Sequence, residues 1–242
     1  IIAHKNNVQI VEKEGLTKFL DEIVYPIYFL DYEAVMDGVP LYEGTSPYQQ
    51  VPFQFSLHVQ QEPNGPLNHI SFLHQERSDP RRAFAEKLVE TCGDKGSVVV
   101  FYAPYESGRN KELATDFPDL AKRLRDINKR MVDIYEPFKQ RLLYDPRQNG
   151  FASLKVVLPT YTDISYDGMS ISNGEQALNE YKAFAKGLIT DEQELDDLWR
   201  GLDEYCEQDT YAMVKLLDVL YDKADYEPEL RYAMQIAPLE VK

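Results

Sequence analysis

The sequence predicts one α/β domain, a mixed β-sheet flanked by α-helices, with a helix-rich C-terminal half. Three observations lead there: two apolar runs of strand length, one stretch of strict apolar–polar alternation, and a switch to helical patterning from Glu106 onward. We expect a lead-in over residues 1–24, the domain proper over 25–221 and a C-terminal tail over 222–242.

Residues 26–32 (PIYFLDY) form a continuous apolar run that ends in charge, the pattern of a central strand covered on both faces. Residues 39–51 hold Gly and Pro and read as a loop. Val51, Phe53, Phe55, Leu57 and Val59 then alternate with Gln54, Ser56, His58 and Gln60, which predicts a half-buried strand. The turn Glu62-Pro-Asn-Gly-Pro leads into a third strand over 68–73, completing a hairpin. Asp79-Pro80 reads as an N-cap with a first-turn proline, opening a helix that runs to Thr91. Residues 98–102 (VVVFY) are a further buried strand. Helices are expected over 106–128 (broken at Phe117-Pro118), 133–141, 173–186 and 191–221, with a short helical stretch near 15–23 and a loop over 145–150.

The 242 residues are 43% apolar and 28% charged, the composition of a globular protein, and no run is long enough to span a membrane. Cys92 and Cys206 lie far apart in helix-like contexts, which predicts reduced thiols and a cytoplasmic location. The chain begins Ile-Ile, without an initiator Met, and is expected to be part of a longer protein with other domains. A net charge of −15 argues against broad electrostatic coating of nucleic acid. It leaves room for a nuclease, because carboxylates that hold metal ions are themselves acidic. His4, His58, His69 and His74 have no metal-ligand spacing along the chain, so no zinc site is expected, and neither a P-loop nor a dinucleotide fingerprint is present.

Four carboxylates stand where a folded core would not place them. Asp31 and Glu33 share a strand face with Ile27 and Phe29, about 7 Å apart by strand rise. The plainer reading ends the strand at Leu30 and leaves both acids solvated. Asp209 lies within the apolar stripe of the last helix, which runs Leu195, Leu198, Trp199, Leu202, Cys206, Met213, Leu216, Leu217 and Leu220. There it must be paired, protonated or bound to a cation, unless the stripe drifts and exposes it. Glu106 follows the VVVFY strand, where α/β sheets place ligands, but taken alone a first-turn acid favoured by the helix dipole is the better account. Asp133 is a near-site carboxylate or, more simply, a helix N-cap. The basic stretch 109–130 also carries Glu112, Asp116, Asp119 and Asp126 and reads as a mixed-charge surface.

Considered together, these residues resemble the DEDD 3′–5′ exonucleases of the RNase H-like superfamily. Phe29-Leu-Asp31-Tyr-Glu33-Ala34 is similar to the first motif, D-x-E at a strand end. Tyr102-Ala-Pro-Tyr105-Glu106 is similar to the second, with Tyr102 and Glu106 where Asn and Asp are usual. Tyr205-Cys-Glu-Gln-Asp209 matches the Y-x-x-x-D of the tyrosine subclass; the sister subclass has His where Glu204 stands. The segments beginning at Ser46, Arg130 and Ser153 resemble an uncharacterised bacterial family placed in that superfamily.

The resemblance implies an RNase H-like sheet and a site holding two Mg²⁺ or Mn²⁺ ions. Asp31 would bridge both, Glu33 and Asp209 would hold the first, Glu106 would support the second, and Tyr205 would orient the attacking water. It implies a hydrolase that releases nucleoside 5′-monophosphates from a single-stranded 3′ end of DNA or RNA, without a membrane partner. The alternative kept beside it is a non-catalytic nucleic-acid- or protein-binding module on a degenerate exonuclease fold. Two others are a nuclease that cuts internally and a structural domain whose acids are all surface charge.

Overall fold

The structure, a computed structural model, describes residues 8–229. Residues 1–7 of the expected lead-in, His4 among them, and 230–242 of the expected tail lie outside the described residues. The central element is a five-stranded mixed sheet in the order β4-β3-β2-β5-β6. Strands β2 (Ile27–Val35), β3 (Val51–Gln60) and β4 (Leu67–Leu73) pair antiparallel, while β5 (Ser97–Val100) and β6 (Met131–Asp133) run parallel to β2. A small antiparallel pair, β1 (Ile10–Val11) with β7 (Leu143–Tyr144), lies apart from it.

Alternation along β2 divides the core into two layers. Tyr28, Leu30 and Tyr32 turn toward α2 (Arg81–Thr91), α3 (Pro104–Asp116) and α4 (Ala121–Lys129), meeting Phe84, Leu88, Leu113, Leu124 and Ile127. Ile27 and Phe29 turn the other way. There they meet α1 (Lys13–Leu20), α6 (Leu154–Tyr161), α7 (Gly174–Ala185) and α8 (Glu192–Ala224), with α5 (Glu136–Lys139) at the rim. The short helix of the lead-in is part of this layer, since Leu16, Leu20 and Ile23 are buried in it. The α/β class and its flanked mixed sheet are as the sequence predicts.

Several elements differ from expectation. The second strand is buried on both faces: Gln54, Ser56 and His58 are at most 4% exposed because α8 lies across them. Alternation marks two different faces, but not which of them meets water. Gln54 Nε2 donates to the Leu202 carbonyl at 3.0 Å, and Ser56 and His58 meet Thr210. The expected helix over 133–141 is instead the end of β6 followed by the four-residue α5, because Asp133 is held in the sheet edge. Helix α2 starts one residue late, at Arg81, with Asp79 still accepting from the Arg81 N–H at 3.0 Å. Residues 146–148 of the expected loop form a 3₁₀ turn.

The two C-terminal helices begin where expected, each with a side-chain cap. Asn173 accepts from the Gln176 N–H at 2.9 Å, and Asp191 from those of Gln193 and Glu194. Helix α8 then runs to Ala224, past the expected edge at 221. Cys92 and Cys206 are free, buried thiols. Among the described residues no helix is long and apolar enough to cross a membrane.

Candidate metal centre

Strand β2 continues through both of its acids, so the reading that ends it at Leu30 fails. Asp31 lies opposite Ser56 and Glu33 opposite Gln54. The pairing with β5 covers only Ile27 to Phe29, so the carboxylates lie just beyond the carboxyl end of β5. The register shifts between Glu33 and Ala34, an irregularity of the kind that re-aims a side chain. Both acids stand on the sheet face that α8 crosses.

From that helix Asp209 points inward, at 6% exposure, as its place in the stripe requires. One carboxylate oxygen each from Asp31, Glu33 and Asp209 lie within 4.8 Å of one another. Residues far apart in the chain are thus brought to one point.

Glu106 arrives from a third direction, in the first turn of α3, directly after β5. Both of its sequence readings hold in part: it is a first-turn acid, yet it is 1% exposed and its Oε2 has no hydrogen-bond partner. It lies outside the tight trio but close enough to raise Asp31 and Glu33 electrostatically. Asp133 holds the turn that leads from β5 into α3: its two oxygens accept from the Tyr102 and Ala103 N–H groups, both at 2.8 Å, just before the helix begins. It also accepts from the Tyr135 N–H at 3.1 Å, so the acceptor expected near the head of a helix over 133–141 is present, while the helix itself is the four-residue α5. Tyr102, in the place where the resemblance expects Asn, has a φ of 76° and is 53% exposed.

Electrostatically the centre is a concentration of negative charge withdrawn from water. Burial first, then repulsion by Asp209 and Glu33, pushes Asp31 well above the usual carboxylate range. Burial and Asp209 do the same to Glu33. Burial lifts Glu106 to about 8, with a further contribution from Asp133. Asp209 is lifted by burial only to about 6, because Tyr166, Lys155 and Tyr205 act in the opposite sense.

Tyr166 and Lys155 are the neighbours that sequence reading missed. The Tyr166 hydroxyl donates to Asp209 Oδ1, and the Tyr205 hydroxyl also bonds Asp209. Lys155 Nζ lies 4.9 Å from the Tyr205 ring and 5.1 Å from that of Tyr166, and it donates to the Ser172 carbonyl at 2.5 Å. Lys155 falls inside the segment starting at Ser153 that carried part of the resemblance, which was a signal; Tyr166 sits in a loop with none. One lysine facing four carboxylates leaves a large deficit of positive charge. From the basic stretch Arg109 offsets Glu106 in part while it pairs with Glu112 at 3.0 Å, and Arg123 and Arg130 bond backbone carbonyls elsewhere.

Above the acids opens a cavity of about 820 Å³. Asp31, Glu33, Tyr205 and Asp209 form its charged end, and Asn179 and Lys182 of α7 stand on its wall. Gly174, at the start of α7, borders that end; a Cβ there would make ordinary contacts, 3.7 Å from Glu33 Oε2 and 3.9 Å from the Tyr205 hydroxyl.

The donor set suits hard divalent cations, which take oxygen ligands. The unpartnered Glu106 Oε2 and the raised acids are what such ions would satisfy. Comparison with curated proteins and with solved structures returned no match. Residues 28–153 do match a family model described as a domain of unknown function, DUF2779; this stretch is more than half of the chain and includes Asp31, Glu33 and Glu106, and the protein belongs to that family.

Proposed function

We propose that the chain is a divalent-metal-dependent nuclease, a 3′–5′ exonuclease acting on single-stranded DNA or RNA. The observation that carries this reading is the meeting of Asp31, Glu33 and Asp209 within 4.8 Å, at the charged end of a cavity wide enough for a nucleotide. The flanked mixed sheet and the three motif positions support it.

In this reading Asp31, Glu33, Asp209 and Glu106 hold two Mg²⁺ or Mn²⁺ ions. When bound, such ions lower the pKa of water and offset the charge that develops on a phosphodiester. Tyr166 holds the Asp209 carboxylate in place through Oδ1. Tyr205, one turn before Asp209, presents its hydroxyl to the cavity and orients the attacking water. Burial and the surrounding acids keep that hydroxyl protonated, its pKa raised far above the ordinary tyrosine value. It therefore serves as a hydrogen-bonding guide and not as a base. Lys182 and Asn179 face the path by which a phosphate backbone would enter.

The test is hydrolysis of 3′- and 5′-labelled single-stranded DNA and RNA, with and without Mn²⁺, beside circular single strands. Mononucleotides released from the 3′ end of linear substrate only, and only with metal, are expected. Cleavage of circles would replace the exonuclease by an internal cutter. Metal and strand binding without any turnover would reduce the protein to a binding module.

A further inference from the structure

The last helix contributes to a second cluster, on the same sheet face as the acids but on the next two strands, β3 and β4. Strands β3 and β4 pair His58 directly with His69, and the two rings lie 4.5 Å apart between centres. Glu207, on α8, brings its Oε1 to 3.7 Å from His69 Nδ1. One ligand atom from each of the three residues lies within 4.8 Å of the others.

The hydrogen bonds beneath the cluster determine which ring nitrogens are free. Thr210 Oγ1 bonds the Glu207 carbonyl at 3.0 Å, and a hydroxyl has one proton, so Thr210 gives its proton there. It then accepts from both Ser56 Oγ, at 2.7 Å, and His58 Nδ1, at 2.8 Å. With its own proton spent on Thr210, Ser56 must accept from His69 Nε2 at 2.9 Å. Every proton in the chain has one place. His58 Nε2 and His69 Nδ1 are left as lone pairs, each ring oriented by a bond at its other nitrogen, as metal-ligating imidazoles are.

We propose that His58, His69 and Glu207 form a transition-metal site that takes Zn²⁺ or a similar borderline ion, separate from the carboxylate centre. Two imidazole nitrogens and one carboxylate oxygen are three of the ligands zinc prefers, and the fourth position falls to water. Ligands of a tetrahedral zinc stand roughly 3.3 Å apart, and the side chains of His69 and Glu207, 27% and 51% exposed, have room to close on an ion. His58 opens onto a cleft of about 480 Å³ that also exposes Glu207, which gives an ion access. Spacing along the chain conceals this site because β-pairing, not a helical or loop motif, joins the histidines. Once filled, it ties strand β4 to the turn of α8 that carries Asp209. Oxygen-rich and nitrogen-rich sites select different ions, so the proposal stands whether or not the chain is a nuclease.

The experiment is titration of chelator-treated, metal-free protein with Zn²⁺ alone and with Co²⁺ alone, by calorimetry and visible absorption. The wild type and the double variant Asp31→Asn/Asp209→Asn, which dismantles the carboxylate centre, are each compared with His69→Ala and Glu207→Gln. Both changes fall on partly exposed side chains, and circular dichroism verifies the fold. The double variant should still bind one Zn²⁺, show the intense visible bands of four-coordinate Co²⁺, and melt at a higher temperature with Zn²⁺. His69→Ala and Glu207→Gln should each weaken Zn²⁺ at this site at least tenfold. Absence of Zn²⁺ binding in the double variant, or unchanged affinity in His69→Ala and Glu207→Gln, overturns the site. Loss of hydrolysis alone has no bearing on it.

Discussion

Asp209 shows how a single residue can direct a reading of the whole chain. A carboxylate in a buried stripe must be compensated, and here Tyr166 and Tyr205 bond it while Lys155 stands near. These neighbours do not neutralise the set, since Asp31 and Glu33 remain far above their ordinary range. Replacing either Asp31 or Asp209 by Asn should reduce Mn²⁺-dependent hydrolysis by roughly three orders of magnitude or more, while leaving the fold intact by circular dichroism. Full turnover in both variants would refute the assigned centre. Tyr205→Phe should slow turnover roughly a hundredfold with Mn²⁺ affinity unchanged, because in the proposed mechanism the hydroxyl guides water and is not a ligand. An unaltered rate would remove Tyr205 from the chemistry.

At the scale of elements, the site depends on where three of them end or cross. Strand β5 stops at Val100, α3 starts at Pro104, and α8 crosses β2 and β3. Asp133 stitches the first two together by holding the Tyr102–Ala103 turn from the end of β6. Asp133→Ala leaves three N–H groups, those of Tyr102, Ala103 and Tyr135, without that acceptor and should cost about 1–2 kcal/mol in denaturant unfolding. Because Glu106 follows that turn directly, turnover should fall as well. A variant of wild-type stability would show that solvent replaces the carboxylate. Tyr102, at the junction, adopts a left-handed backbone that Asn accepts more readily than Tyr, and the resemblance expects Asn there. The structure gives no reason for the tyrosine beyond its edge contact with Tyr135, 6.0 Å between ring centres.

For the molecule as a whole, the centre makes stability depend on pH in a definite sense. A carboxylate whose pKa is raised by folding binds its proton more tightly in the native state than in the unfolded chain. The contribution of the cluster is therefore fully present below about pH 4 and declines as pH rises through the folded values, about 6 for Asp209 and about 8 for Glu106. In chelator, the wild type should lose more melting temperature between pH 5 and pH 8 than Asp31→Asn/Asp209→Asn does. Adding Mn²⁺ at pH 8 should restore several degrees to the wild type and little to the double variant. Parallel pH profiles for the two proteins would contradict the electrostatic account. The comparison between variants matters because buried His58, with its lowered pKa, works in the opposite direction between about pH 4 and 6.5.

What the sequence determined by itself was whatever local periodicity and isolated anomalies can encode. Apolar runs and alternation located the strands, helical patterning located α7 and α8, and acids in apolar surroundings singled out Asp31, Glu33 and Asp209. Three things belonged to tertiary structure alone. The cover over Gln54, Ser56 and His58 came from a helix more than a hundred residues away, so alternation could only misreport that face as solvated. Tyr166 and Lys155 reached Asp209 from a loop and from α6, whose local patterns carry no trace of a carboxylate partner. Strand pairing set His58 beside His69. In each case the contact energy comes from groups distant in the chain, and no pattern within a window of neighbours records which distant surface will close over it.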